Sequence, residues 1–309
     1  MAERRARCDV SATIALNVLT RVQAFEELRR KLELTGLQEK TVATRQNNVR
    51  DSVAGQLSVV GDFLTGSYRR HTLIGPLKQA DVDLIVVLDR KYKDRGPRAV
   101  LELVKQALLV EYTRTPAISR NGQALTITFS DFVVDVVPAF ARPWWSWEPG
   151  WEICDSGRDR WITTNPKKHA ELSAAANKAH SGELVPRIKQ LKAWNRTAGS
   201  PLRSFHLEAL AWSIFGTSWL WKNGQSSDWA SARYFFEKAQ GELRSQLHDP
   251  AGTGSDVAAY LHGSALDSAV SKVTTAYKRC VRAETCAKDE NLAGMHKAYG
   301  QVFGDYYPD

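Results

Sequence analysis

Eight residues, Asp81-Val-Asp-Leu-Ile-Val-Val-Leu88, set the tightest limit on what this chain can fold into. The unbroken apolar run from Leu84, rich in Val and Ile, reads as a strand inside a sheet. Side chains alternate along a strand, so Asp81 and Asp83 share one face while Val82, Leu84 and Val86 take the other. At roughly 3.3 Å per residue the two carboxylates stand about 6 to 7 Å apart. That spacing suits two carboxylates sharing a divalent cation. A rigid oxygen pair fits Mg²⁺, which takes near-octahedral oxygen ligands and commonly shares its site with substrate phosphates.

Two further stretches belong with this strand. Upstream, Gly66-Ser67 forms a turn that opens a short helix or turn through Thr72, and the free N–H groups of such a start suit a triphosphate. Downstream, Asp135 lies in Phe132-Val-Val-Asp-Val-Val-Pro138. An ionised group within so apolar a run costs several kcal/mol unless a cation or hydrogen bonds compensate it. Asp135 is therefore the third candidate metal ligand.

The pattern of Gly66-Ser67, then Asp81-Val82-Asp83, then a third Asp in a later strand resembles the polymerase β-like nucleotidyltransferases. From about residue 60 to the C-terminus the chain is most similar to their bacterial cGAS/DncV-like branch, the CD-NTases of CBASS anti-phage defence, relatives of cyclic GMP-AMP synthase and oligoadenylate synthetase. The supporting stretches are Trp161-Ile-Thr-Thr-Asn-Pro166, Leu191-Lys-Ala-Trp194, Ser204-Phe-His-Leu-Glu208, Asp249-Pro-Ala-Gly252 and Val302-Phe-Gly-Asp-Tyr-Tyr-Pro308. The resemblance implies an α+β palm with a mixed sheet and a helical C-terminal lobe. It implies that Asp81 and Asp83 hold two ions, Mg²⁺ or Mn²⁺, with Asp135 on the ion that activates the attacking ribose hydroxyl. It also implies that Gly66, Ser67, Lys192 and Ser204 neutralise the triphosphate, with Phe205 against the donor base. Phe stacks but lacks the hydroxyl of the tyrosine often found there. ATP and GTP would be the substrates, and a cyclic di- or trinucleotide the product, with the cyclic GMP-AMP type leading. A downstream effector would sense that product, and regulatory partner proteins fit the same picture.

The rest of the chain agrees with a folded intracellular enzyme. Its 309 residues suffice for one large or two ordinary domains. No apolar run approaches the roughly 18 residues of a membrane span. Arg4, Arg5 and Arg7 precede a stretch broken by Asp9 and Asn17, so no signal peptide is expected and a cytoplasmic location is the default. Cys8, Cys154, Cys280 and Cys286 form no metal or disulfide spacing, and no zinc ribbon can be assembled from them. The net charge of +8 fits either a nucleic-acid partner or a pocket for triphosphates. Its cations are dispersed rather than blocked, which favours the pocket over a nucleic-acid activator.

Helices are expected over residues 11–34 and 37–60, with Gly36 ending the first, and an amphipathic helix over 97–113. Leu125 to Phe129 alternates as a half-buried strand. Residues 1–160 would form the N-terminal helices and palm, and 161–309, helical almost throughout, the second lobe closing the cleft. The tryptophans at 144, 145, 147, 151 and 161 read as packing between lobes rather than as a base platform. In the helix from Leu184 to Asn195, the inward stripe is Leu184, Val185, Ile188, Leu191 and Trp194. Lys192 falls inside it and wants an anionic partner. Lys189 lies at its edge, where a phosphate contact and a snorkelling stem fit equally well. His206 reads as a satisfied core histidine.

Two rivals remain at this point. An RNA-end or small-molecule nucleotidyltransferase would share the palm but not the lysine helix followed by Ser-Phe-His-Leu-Glu. A noncatalytic nucleic-acid-binding scaffold would have no reason to keep three aspartates.

Overall fold

The computed structural model describes residues 19–113, 117–118, 122–143, 145–146, 150–216 and 226–308. Two helices come first, α1 (Arg21–Leu32) and α2 (Gly36–Ala54). Each begins with a reciprocal capping box, Thr20 with Gln23 and Thr35 with Gln38, which satisfies otherwise orphaned N–H groups. Gly36 is thus the first residue of α2 rather than the end of α1. The threonine cap decides the boundary. The expected helix over 37–60 ends early as well, because Val59 already pairs with Leu88 at the start of strand β1 (Val59–Leu64). Residues 11–18 lie outside the described part.

The palm follows as α3 (Gly66–Arg69), β2 (Asp81–Leu88), α4 (Pro97–Leu109), β3 (Ala117–Ile118), β4 (Leu125–Thr128), β5 (Val133–Ala141), β6 (Trp151–Asp155) and β7 (Arg160–Thr164). The sheet runs β1-β2-β5-β4-β3, with β6 added to β5 and β7 to β6. Among the described strands only the β2·β5 pair is parallel, so the sheet is mixed, as expected. Strand alternation divides its two faces. Val82, Leu84, Val86, Val134 and Val136 pack with Val49 and Val53 of α2 and with Val100, Leu101, Val104 and Leu108 of α4. Each such side chain, once fully buried, contributes about 1.5–3 kcal/mol. The other face carries Asp81, Asp83 and Asp135 and a thin apolar patch of Ile85, Val87, Ala139 and Ile153. The covered face fixes the sheet, and the thinly covered one carries the carboxylates.

The helical half comprises α5 (Pro166–Ala179), α6 (Leu184–Thr197), α7 (Ser204–Gly216), α8 (Asp228–Glu242), α9 (Gly263–Lys288) and α10 (Leu292–Phe303). Leu184, Ile188, Leu191 and Trp194 of α6 enter its core, as the stripe predicts. We keep 1–160 and 161–309 as the proposed division into lobes, with two features of the packing beside it. Ala24, Phe25, Leu28 and Leu32 of α1 join the helical core, and β7 completes the sheet through Thr164. Between α8 and α9 the chain is largely irregular, stitched by Asp249 and Asp256, so the helical run is less continuous than its pattern suggests.

Of the described tryptophans, Trp151 packs on Phe63 and Trp161 on Phe140, while Trp145 is 70% exposed rather than buried between lobes. Trp144 and Trp147 lie outside the described residues, as does Cys8. Cys154 and Cys280 are buried and Cys286 is half-buried, all as free thiols. Among the described residues no helix is long and apolar enough to cross a membrane.

Candidate active site

Strand register brings the acidic residues together. Asp83 and Asp135 are direct partners across the parallel β2·β5 pair, and Asp81 stands two residues before Asp83 on the same face. Thr126 of β4, opposite Asp135, donates its hydroxyl to Asp135 Oδ1 at 2.6 Å and so fixes that carboxylate. Burial, then the charges of Asp81 and Asp135, push the Asp83 carboxyl up to about 7. Burial and Asp81 also raise Asp135, against the lowering effect of the Thr126 bond. Among the described residues no three carboxylate, imidazole or thiol groups converge as a ready-formed metal cage. The three aspartates are therefore neighbours on one face rather than an assembled ligand set. Their chemistry nonetheless fits a hard divalent cation, because a cation offsets both the burial and the repulsion that raise Asp83.

Gly66 explains why the turn beside them contains glycine. Its φ is +62°, and a β-carbon there would lie 1.7 Å from Asp83 Oδ2. The turn therefore presses its backbone directly against the carboxylate, which only glycine permits. The Thr65 N–H donates to the Asp83 carbonyl at 2.9 Å, extending the β1·β2 ladder into the turn. The helix expected after Gly66 is only the four residues of α3, and its capping Thr65 makes no side-chain bond to it.

Two cavities flank this turn. The smaller, 370 Å³, is lined by Ser67, Asp81, Lys192, Arg196, Arg203, Ser204 and Tyr260 among others. It gathers four of the expected site residues from three elements and the palm turn. The larger, 880 Å³, is walled by Phe63, Thr65, Tyr68, Arg69, Arg70 and Lys167. Both are lined by cations, and the smaller sets Lys192, Arg196 and Arg203 beside Asp81.

Two of the expected site residues lie away from the smaller cavity. Lys189, one turn before Lys192, faces a different cavity with Tyr68 and His71, and its ammonium pairs with Glu33 at 2.6 Å. Phe205 does not line the cavity that holds Ser204. One step along a helix rotates a side chain by about 100°, and the ring instead meets His169 at 4.7 Å, with the Arg70 guanidinium 5.1 Å above it.

Several site residues carry no sequence signal. Arg196 donates to the carbonyls of Gly75 and Gln79, holding the segment that leads into Asp81. Asn195 clasps Leu202 through both backbone groups and so sets the entry to α7. Tyr260 accepts the Arg203 N–H at 2.7 Å and meets His206 Nδ1 at 3.0 Å. Burial pushes His206 down to about 4, which fits a neutral core histidine. Lys192 finds its anion inside the protein, in Glu208, at 2.7 Å.

Comparison with known proteins identifies the family. Residues 19–177 match SMODS, the Second Messenger Oligonucleotide or Dinucleotide Synthetase domain. The chain belongs to the SMODS family, the CD-NTases. It is 29% identical over 207 residues to the cyclic AMP-AMP-AMP synthase of an Acinetobacter species, an alignment covering 62% of this chain and 58% of that relative's length. It is 24% identical over 278 residues to a probable cyclic nucleotide synthase of Bacillus cereus, covering 79% of this chain and 81% of the relative. CdnC of E. coli MS115-1, solved with ATP, superposes with a TM-score of 0.72 at 15% identity over 93% of this chain and 99% of CdnC. The same CdnC in complex with HORMA-deltaN gives 0.71 at 16% identity, over 93% and 98%. At such identities the structural likeness speaks for the shared fold.

Proposed function

We propose that this protein is a metal-dependent nucleotidyltransferase that joins NTPs into a cyclic oligonucleotide second messenger, with release of pyrophosphate, for anti-phage signalling. The observation that carries the proposal is the juxtaposition of three aspartates on one sheet face, with Asp81 among them lining a cavity that also holds Lys192, Arg196 and Arg203. Asp81, Asp83 and Asp135 are the metal ligands of this reading. Two divalent ions, when bound, supply neutralisation of the phosphates and of the attacking and leaving oxygens. Ser67, Lys192 and Ser204 receive the triphosphate in the smaller cavity, and Gly66 lets the backbone approach it. Thr126 keeps Asp135 from rotating. The larger cavity is of a size that takes a nucleoside, between Tyr68, Phe63 and Lys167.

Purines are the expected bases. The cyclic GMP-AMP type suggested by the sequence rests partly on Phe205 as a stacking surface, and that ring is engaged by His169 and Arg70. The Acinetobacter relative is named for an all-adenine trimer, so ATP alone is the first substrate to supply. A downstream effector that senses the product completes the pathway, and the complex of CdnC with HORMA-deltaN supports a regulatory partner protein of that kind.

The test is mass spectrometry of phosphatase-treated reactions containing Mg²⁺ or Mn²⁺ and the four NTPs, singly and together. A cyclic product keeps its phosphates, whereas linear ends are stripped. Cyclic product without an added acceptor supports the proposal. Linear product, or label passing solely to added RNA or a small acceptor, overturns it in favour of an end-modifying transferase.

A further inference from the structure

Glu208 is fully shielded from solvent where the palm turn meets the helical lobe. Its Oε2 accepts from Arg70 Nε at 2.7 Å and its Oε1 from the same guanidinium at 3.1 Å. Oε1 also meets Lys192 Nζ at 2.7 Å. Arg70 directly follows α3, Lys192 is on α6 and Glu208 on α7, so one carboxylate joins three elements. Lys192 spends a second bond on Thr72 Oγ1 at 3.1 Å, and the Thr72 N–H donates to the Ser67 carbonyl at 2.9 Å. A continuous path therefore runs from Glu208 through Lys192 and Thr72 to the Gly66-Ser67 turn. An ammonium has three protons, and these contacts engage two of them.

The charge balance is informative. A staple between lobes needs only one cation per carboxylate, yet here two gather on Glu208, leaving one net positive charge, and Lys192 lines the triphosphate cavity. We propose that Glu208 is a positioning residue that sets both the aim of Lys192 and the strength of the positive charge the triphosphate meets. This rests on the nucleotidyl-transfer reading above. Glu208 holds the ammonium toward the Gly66-Ser67 turn and offsets part of the charge. The leaving pyrophosphate is then not held as tightly as two free buried cations would hold it. Binding that grips nucleotide and product equally does not raise turnover, and a product held too long limits it.

The decisive variant is Glu208→Gln, which keeps the shape and an acceptor oxygen but removes the charge. With Lys192 protonated, calorimetry with a nonhydrolysable ATP analogue should show binding about tenfold tighter, because Arg70 and Lys192 then face the triphosphate without the offsetting carboxylate. Pyrophosphate should inhibit at correspondingly lower concentration, while kcat falls about tenfold or more because the ammonium is no longer aimed. A purely structural staple predicts the opposite sign for binding, so equal or weaker affinity in a folded Glu208→Gln protein overturns the proposal. Should circular dichroism show that variant unfolded, Glu208→Asp keeps the charge and withdraws the carboxylate by one methylene. Its analogue affinity should stay within about twofold while kcat drops about tenfold; wild-type kcat in Glu208→Asp overturns the proposal. Absence of any pyrophosphate release by the unmodified protein would defeat the nucleotidyl-transfer reading, and the binding comparison would still decide what Glu208 does.

Discussion

The two walls of the cleft solve opposite electrostatic problems. On the sheet wall burial, and after it the crowding of three carboxylates on one face, raises Asp83, so this wall is short of positive charge. On the helical wall Arg70 and Lys192 converge on Glu208, which they hold down at about 2 although burial alone would raise it, and one positive charge is left over. The first wall asks for a cation and the second for an anion. A metal-bound triphosphate supplies both, and the difference predicts how each wall fails. Losing a carboxylate from the sheet wall should stop chemistry without harming the fold, whereas losing a cation from the helical wall should harm both.

The largest effect is expected at the sheet wall. Asp81→Asn, Asp83→Asn and Asp135→Asn should each lower turnover by about 10²–10³-fold or more, the scale for removing one electrostatic stabiliser. Pyrophosphate release and circular dichroism measure the two halves of that claim. A folded Asp83→Asn protein with full turnover would remove the metal assignment.

Next comes Lys192→Ala on the helical wall. It strips Glu208 of one of two buried partners, and breaking a buried pair costs about 3 kcal/mol at the lower end of the usual range. Denaturant unfolding should show this loss together with weaker NTP binding. Loss of stability with unchanged affinity would assign Lys192 to the fold alone.

The contrast between the walls also explains what could be read from the sequence. A strand has a period of two, so the alternation alone is enough to place Asp81 and Asp83 on one face, whereas the mixed sheet follows from the resemblance and the pairing of Asp83 with Asp135 from the register of the folded sheet. The inward aim of Lys192 was equally visible as a charge in an apolar helical stripe. Its partner was not, because Glu208 sits in a helix apolar on nearly every side, and Arg70 lies 138 residues away in sequence. Gly66 was legible as a turn, but its contact with Asp83 required the tertiary structure. The boundary at Thr35 was missed because a capping threonine and a terminating glycine stand side by side.

A smaller effect sharpens the electrostatic difference through pH. The folded Asp83 carboxyl titrates at about 7, above its ordinary value of 3.8, so the folded state binds more protons than the unfolded chain between those values. Its contribution to stability is present at the acidic end and is lost as pH rises toward 7. Asp83→Asn should therefore melt higher than the unmodified protein at pH 8, with the gap closing toward pH 4. Added Mg²⁺ or Mn²⁺ should narrow the gap at pH 8 by stabilising only the protein that keeps the carboxylate. A gap independent of both pH and metal would mean that the carboxylates do not repel one another.

The smallest effect, at Lys189, tests whether the comparison concerns position or merely positive charge. Lys189 and Lys192 are three residues apart on α6 and both are buried, but Glu33, the partner of Lys189, is largely exposed. Water screens such a pair, and its loss costs about 0–1 kcal/mol. Lys189 also faces the cavity with Tyr68 and His71 rather than the one with Ser67 and Asp81. Lys189→Ala should leave NTP affinity within about twofold and lower stability only within that small range. If long-range charge were what held the triphosphate, the two lysines would act alike, and weakening would grow steeply at low ionic strength for both. Calorimetric titrations of the two alanine variants at low and moderate salt separate these outcomes. Equal weakening would mean that positive charge on the helical wall matters irrespective of position, while an effect confined to Lys192 would show that the ammonium works through the contacts that aim it.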